Sequence, residues 1–217
     1  MNRTLKAVFL SAGLCSLPSL CFSQIVYNNP GTGTNSYYPT TLEAGDQIAL
    51  FGPQRTLSQF QFEYYFSGTT VSTQTWTLRL YANDGTTNSP GSALYLGEAR
   101  PISLGPNGYT RETINFPLSS NLVTLPDTFT WAVQFSNLGP GQTAGLLVSG
   151  PPIVGSSFND FWQRDSSCVW STMKINGAPF SDFVAQVSAV PEPGVLALGG
   201  LGALLLAGFR RFRKTPR

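Results

Sequence analysis

Over most of this chain, apolar and polar residues alternate in short runs separated by clusters of Gly, Pro and Asn. The clearest run is Leu57 to Phe66. There Phe60, Phe62, Tyr64 and Phe66 occupy every second position and so share one face of a strand. Thr75 to Tyr81 repeats the pattern with Trp76, Leu78 and Leu80. Strands are also predicted at Gln47 to Phe51, Leu94 to Glu98, Tyr109 to Phe116, Phe129 to Phe135, Ala144 to Val148, Asp160 to Gln163 and Phe183 to Val187. Turn residues punctuate them at Ser67-Gly68, Asn83-Asp84-Gly85, Ser89-Pro90-Gly91 and Gly105-Pro106-Asn107-Gly108, among others. No long stretch of the body keeps an apolar period of 3.6 residues. The expected fold is therefore all-β, a single jelly-roll-like β-sandwich over residues 24–189, in which each strand buries one apolar face. Asn28 to Tyr38 is predicted to be an irregular lead-in.

The two ends break the alternation. Arg3 and Lys6 precede an apolar stretch, Ala7 to Leu14, and then Pro18 and Cys21-Phe22-Ser23. This is the pattern of a secretory signal peptide over residues 1–23, cut between Ser23 and Gln24. Leu14 before Cys15 and Leu20 before Cys21 disfavour lipidation, because a lipobox takes a small residue there. Residues 190–217 read as a second signal. Val190-Pro191-Glu192-Pro193 is kept extended by its two prolines. The uncharged run 194–209 follows, predicted to be one transmembrane helix of about 24 Å. The basic tail 210–217 carries Arg210, Arg211, Arg213 and Lys214, which flank the membrane on its cytoplasmic side.

The order Pro191-Glu192-Pro193, apolar segment, Arg-rich end resembles the PEP-CTERM sorting signal of Gram-negative bacteria. The resemblance implies recognition by an exosortase that cuts near the Pro-Glu-Pro. It also implies an inner-membrane precursor held by its C-terminal helix, then a cell-surface or extracellular-matrix product in a biofilm or exopolysaccharide setting. Trp76 to Gly85, with Pro90, Gly91 and Leu94, and the strand Phe129 to Phe135 are similar to sandwich domains found upstream of such anchors. That likeness implies architecture and no chemistry.

Charge looks different once the two signals are set apart. The whole chain is net +2, but two cations lie in the leader and five in the tail. Gln24 to Pro193 keeps six cations against eleven acids, net −5, with no basic cluster, which argues against nucleic acid as a partner. Cys168 is the one cysteine outside the leader, so an intramolecular disulfide is excluded in the processed chain, and the residue is expected to be buried and inert, the alternative being an intermolecular bridge or a free reactive thiol.

Candidate chemistry is sparse. The chain has no histidine, which excludes Ser-His-Asp and Cys-His machinery and His-based metal sites. No dinucleotide or phosphate loop occurs, and no cofactor is called for. Glu63 and Glu112 are candidate glycosidase carboxylates set against a simpler role as solvent-facing strand residues. Asp160 and Asp165 are candidate calcium ligands set against ordinary loop charges, and Asn83-Asp84-Gly85 is first a turn. Trp162 and Trp170 are candidate sugar contacts, since an exposed ring face can stack on sugar C–H groups; the competing assignment is core or edge cover. The expectation is a non-catalytic exported sandwich. The alternatives are a carbohydrate-binding module contacting extracellular polysaccharide and a glycan-active enzyme.

Overall fold

The periodic runs form strands that pair only with antiparallel neighbours, in a computed structural model that describes residues 22–31, 36–68, 73–119, 121–177 and 180–191. In chain order the strands are β1 (Gln24–Asn29), β2 (Tyr37–Pro39), β3 (Glu43–Gly45), β4 (Gln47–Ala49), β5 (Thr56–Phe66), β6 (Thr75–Ala82), β7 (Ala93–Leu96) and β8 (Arg100–Pro101). Then come β9 (Tyr109–Asn115), β10 (Thr128–Ser136), β11 (Ala144–Ser149), β12 (Ser156–Ser157), β13 (Phe161–Arg164), β14 (Trp170–Met173), β15 (Asp182–Phe183) and β16 (Ala185–Val190). They build two sheets. The first is centred on β5, with β9 along one edge and β16 then β11 along the other. The second is centred on β10, flanked by β6 on one side and by β4 and β3 on the other.

Alternation in β5 and β10 makes the sandwich. Phe60, Phe62, Tyr64 and Phe66 point from the first sheet toward Trp131 and Phe135 of the second. Phe60 and Trp131 have ring centroids 5.4 Å apart, Phe62 and Trp76 5.1 Å, and Tyr64 and Phe135 5.5 Å. Each buried ring contributes roughly 1.5–3 kcal/mol, so this aromatic layer dominates the core. Gly45 sets how close the strands come. A Cβ there would lie 1.8 Å from the carbonyl oxygen of Trp131, so β3 reaches β10 only as glycine.

The structure extends the predicted strand set. Part of the predicted lead-in is strand: β1 reaches Asn29 and β2 begins at Tyr37. A register shift between Ile25 and Tyr27 leaves Val26 and Tyr27 buried side by side, which erases the alternation a sequence reader looks for. β3 is built of Glu-Ala-Gly, residues of low strand propensity, and exists because β10 and β13 pair with it. The body also runs one residue past its predicted end. Val190 belongs to β16, pairs with Thr56 and is 3% exposed. No helix among the described residues is long and apolar enough to cross a membrane. The predicted helix 194–209 and the leader up to residue 21 lie outside the described residues.

Candidate functional site

The sorting segment joins the body without a linker. β16 lies between β1 and β5, so its last residues are held by ladders on both sides, and Pro191 follows directly. Pro191 is half-buried at the end of that strand. Glu192, Pro193, Arg210, Arg211, Arg213 and Lys214 lie outside the described residues. At the other junction, Gln24 opens β1 opposite Ala189, and the hydroxyls of Ser23 and Ser58 are hydrogen-bonded at 2.7 Å. Both predicted processing points therefore sit at the same end of the first sheet.

The two tryptophans part company. Trp162 in β13 is 9% exposed, and its indole N–H donates to Gln47 Oε1 at 3.1 Å. Its ring is packed and polar-satisfied, so it offers no face to a sugar. Trp170 in β14 is half-buried and covers Tyr81, ring centroids 5.4 Å apart, with the Arg164 guanidinium 5.7 Å over it. Beneath them lies Glu43, 5% exposed on the outer side of the second sheet. Its carboxylate accepts from the Tyr81 hydroxyl at 2.7 Å and pairs with Arg79 at 3.2 Å and Arg164 at 3.6 Å. Burial, then the Glu43 carboxylate, push the Tyr81 phenol up. Trp170 thus covers Tyr81 and Arg164 beside an ionic cluster that still opens to a surface depression of about 570 Å³, lined in part by Glu43, Arg79, Tyr81 and Arg164.

The candidate carboxylates do not converge. Glu63 is in register with Arg111, and Glu112 with Phe62, so the two acids lie on opposite faces of the first sheet. Glu63 is engaged by the Arg111 guanidinium. Glu112 faces the Tyr64 hydroxyl at 3.2 Å, and burial raises that phenol to about 12. Asp160 and Asp165 stand at opposite ends of β13, roughly 16 Å apart at the rise of a strand. Asp165 accepts from the Val169 N–H at 2.8 Å, and Asp84 from the Ser92 N–H at 2.7 Å, which holds the Asp84 carboxyl below its usual range. Both are turn-forming contacts. Among the described residues no group of three or more acids and cysteines has a metal-holding arrangement. Cys168, expected to be buried, is exposed: it occupies a left-handed position, φ 64°, in the turn between β13 and β14, where no core is available to cover it.

Two groupings had no obvious sequence signal. Between the sheets, Asp46 is completely buried and accepts from the Phe183 N–H, while its Oδ1 has no partner. The Tyr27 hydroxyl and Asn29 Oδ1 are also buried without a hydrogen bond. Asp182 accepts from the Ser157 hydroxyl at 2.8 Å. Burial first, then the neighbouring Asp182 and Asp160 charges, push the Asp46 carboxyl well up, against the pull of the Phe183 N–H. Burial brings Asp182 up to about 6. The second grouping is on the outer face of the first sheet, where Tyr37, Tyr65 and Tyr109 lie side by side. Tyr65 does carry a signal in hindsight: it breaks the polar half of the alternation in β5, where Gln59, Gln61 and Glu63 precede it.

Comparison with known families places the description PEP-CTERM protein-sorting motif on residues 189–214. Neither the curated proteins nor the solved structures give a match. The matched span begins with the last two residues of β16, so sorting signal and folded body share a strand. The chain is an all-β sandwich that carries a PEP-CTERM sorting motif at its C-terminal end.

Proposed function

We propose that this is an exported, non-catalytic β-sandwich whose sorting signal is read by an exosortase while the apolar segment 194–209 holds the precursor in the inner membrane of a Gram-negative bacterium. The leader is removed at Ser23–Gln24, and cleavage near Pro191–Pro193 delivers the body to the cell surface or the extracellular matrix, in an exopolysaccharide or biofilm setting. The match over residues 189–214 is the observation that carries this function. The fold adds a constraint. Val190 is buried and paired with Thr56 of β5, so cleavage upstream of Pro191 requires extraction of a strand end, whereas cleavage at or beyond Pro191 leaves the sheet intact. A non-catalytic body is supported by the separation of Glu63 from Glu112 and by the engagement of Glu43 with two arginines.

The test is the intact mass of the mature protein from its own host, with and without the exosortase. An N-terminus at Gln24 and a C-terminus between Pro191 and Gly194, reverting to Arg217 without the enzyme, is the expected result. A mature chain that keeps Arg217 in the presence of the enzyme overturns the proposal.

A further inference from the structure

The outer face of the first sheet is built in rows, and the rows differ in chemistry. Tyr65 is in register with Tyr109, Glu63 with Arg111, Gln61 with Thr113 and Gln59 with Asn115. Gln186 continues the Gln61 row across β16, and Asn28 continues it across β1. Successive rows are spaced by two strand residues, so the four rows extend over roughly 20 Å. Tyr37, on β2 beyond β11, stands one row off in register, but its ring reaches over Gly145 to lie with its centroid 4.3 Å from that of Tyr65 and the planes inclined at 33°. Tyr109 lies 5.1 Å from Tyr65 on the other side, at 54°. All three rings are half-buried, each keeping part of its surface open to solvent. Gly108, at φ +82°, closes in on the Tyr65 ring, where a Cβ would come within 2.7 Å of it.

Each component matches one part of a sugar. Tyrosine rings offer apolar, electron-rich faces to the C–H side of a pyranose and hydroxyls at their tips. Planar amides present donors and acceptors together, as paired sugar hydroxyls require. Here they are already ordered: Gln61 donates to Gln59 at 2.8 Å and Gln59 donates to Asn115 at 2.9 Å. Within these rows the only charges are Glu63 and Arg111, which neutralise one another. The face therefore favours an uncharged ligand over an anionic polymer. A depression of about 220 Å³ opens between the Gln61 and Glu63 rows, lined in part by Asn28, Arg111 and Gln186. That is below the range of small-molecule pockets, so it suits one segment of a longer chain.

We propose that this face, with the Tyr65 ring stack at one end and the amide rows beyond it, binds an uncharged polysaccharide chain laid across the rows. The site is distinct from Trp162 and Trp170, which belong to the second sheet, and it does not depend on how the C-terminus is processed. The full-length chain, purified in detergent, would be assayed for retention on cellulose, mannan and dextran and on an array of neutral oligosaccharides, with alginate as the anionic comparison. Retention on at least one neutral glycan is expected. Tyr65→Ala should lower affinity by about tenfold, the factor that corresponds to one stacked ring. Tyr109→Ala, on the edge strand β9, provides a second variant should Tyr65→Ala unfold, and Trp170→Ala should bind as wild type. No retention on any neutral glycan overturns the proposal. So does retention unchanged in folded Tyr65→Ala and Tyr109→Ala, or a salt-sensitive preference for alginate. Because the assay does not involve the sorting signal, its failure leaves the mature C-terminus as a separate question.

Discussion

Glu43 and Asp46 are three residues apart at the end of β3, and both are buried, but their surroundings differ. Glu43 points to the outside of the second sheet, where β6 and β13 bring Arg79 and Arg164 over it and Tyr81 donates to it. The arginine stems cover the carboxylate while their guanidinium groups remain partly in water. Asp46 turns inward between the sheets. Its charged neighbours there are Asp182 and Asp160, and one of its oxygens has no partner. A long cation can reach over a sheet from its flank but cannot be threaded into a packed aromatic core. Burial outside the sheet therefore comes with compensation, and burial inside it changes the protonation state instead.

Removing Glu43 should have the largest effect. Glu43→Ala leaves two half-buried guanidinium groups and a phenol without their common acceptor, and should destabilise the body by about 3 kcal/mol in urea unfolding. Glu43→Gln keeps an acceptor for Tyr81 and should lose less. Equal stability of Glu43→Ala and wild type would mean that the cluster is held by Trp170 packing rather than by charge.

The inner pair, Asp46 and Asp182, should respond to pH. Asp46 and Asp182 hold their protons more tightly folded than unfolded. The folded chain thus binds extra protons above the ordinary carboxylate pKa of about 4, and their contribution is complete below that pH. For Asp182 it declines as pH rises through about 6. Asp182→Asn should gain on wild type by about 1 kcal/mol between pH 4 and pH 6.5, a figure already discounted for nearby solvent. Asp46→Asn keeps an acceptor for the Phe183 N–H and should shift the same way. A variant that instead loses ground on wild type as pH rises would show that these carboxyls are ionised and stabilising in the fold.

Much of the architecture was legible because its strands bury one face at a time. β5, β6 and β10 each place large apolar residues at every second position, Phe60 to Phe66, Trp76 to Leu80 and Phe129 to Phe135, and each lies within a residue or so of its predicted limits. The strands missed were those whose existence depends on a partner. β3 follows β10, β12 pairs with β4, and β14 is an exposed hairpin partner of β13. The sorting motif was legible because it is local and covalent, needing only residue order. The sites were not. Trp162 and Trp170 are eight residues apart and both lie on the outer side of the second sheet, yet one is packed down beside Gln47 and the other is a half-buried cover on Tyr81. Tyr37, Tyr65 and Tyr109 are far apart in sequence, and only the β2–β11, β11–β5 and β5–β9 pairings bring their rings together.

The smallest effect should come from the outer ion pair that most resembles the Glu43 cluster on paper. Glu63 meets Arg111 across β5 and β9, but the Arg111 side chain is 59% exposed, against 24% for Arg79. Water and salt screen such a pair, so Glu63→Ala should cost under about 1 kcal/mol and the difference should shrink in 1 M salt. The loss in Glu43→Ala should persist under the same salt, because its partners are held over a carboxylate from which solvent is largely excluded. If both losses vanish together in salt, the two outer faces are equivalent and the distinction drawn from Glu43 fails. If only the Glu63 loss vanishes, the first sheet's outer face is a weakly coupled surface whose residues are free to exchange contacts with a ligand, as the tyrosine and amide rows require.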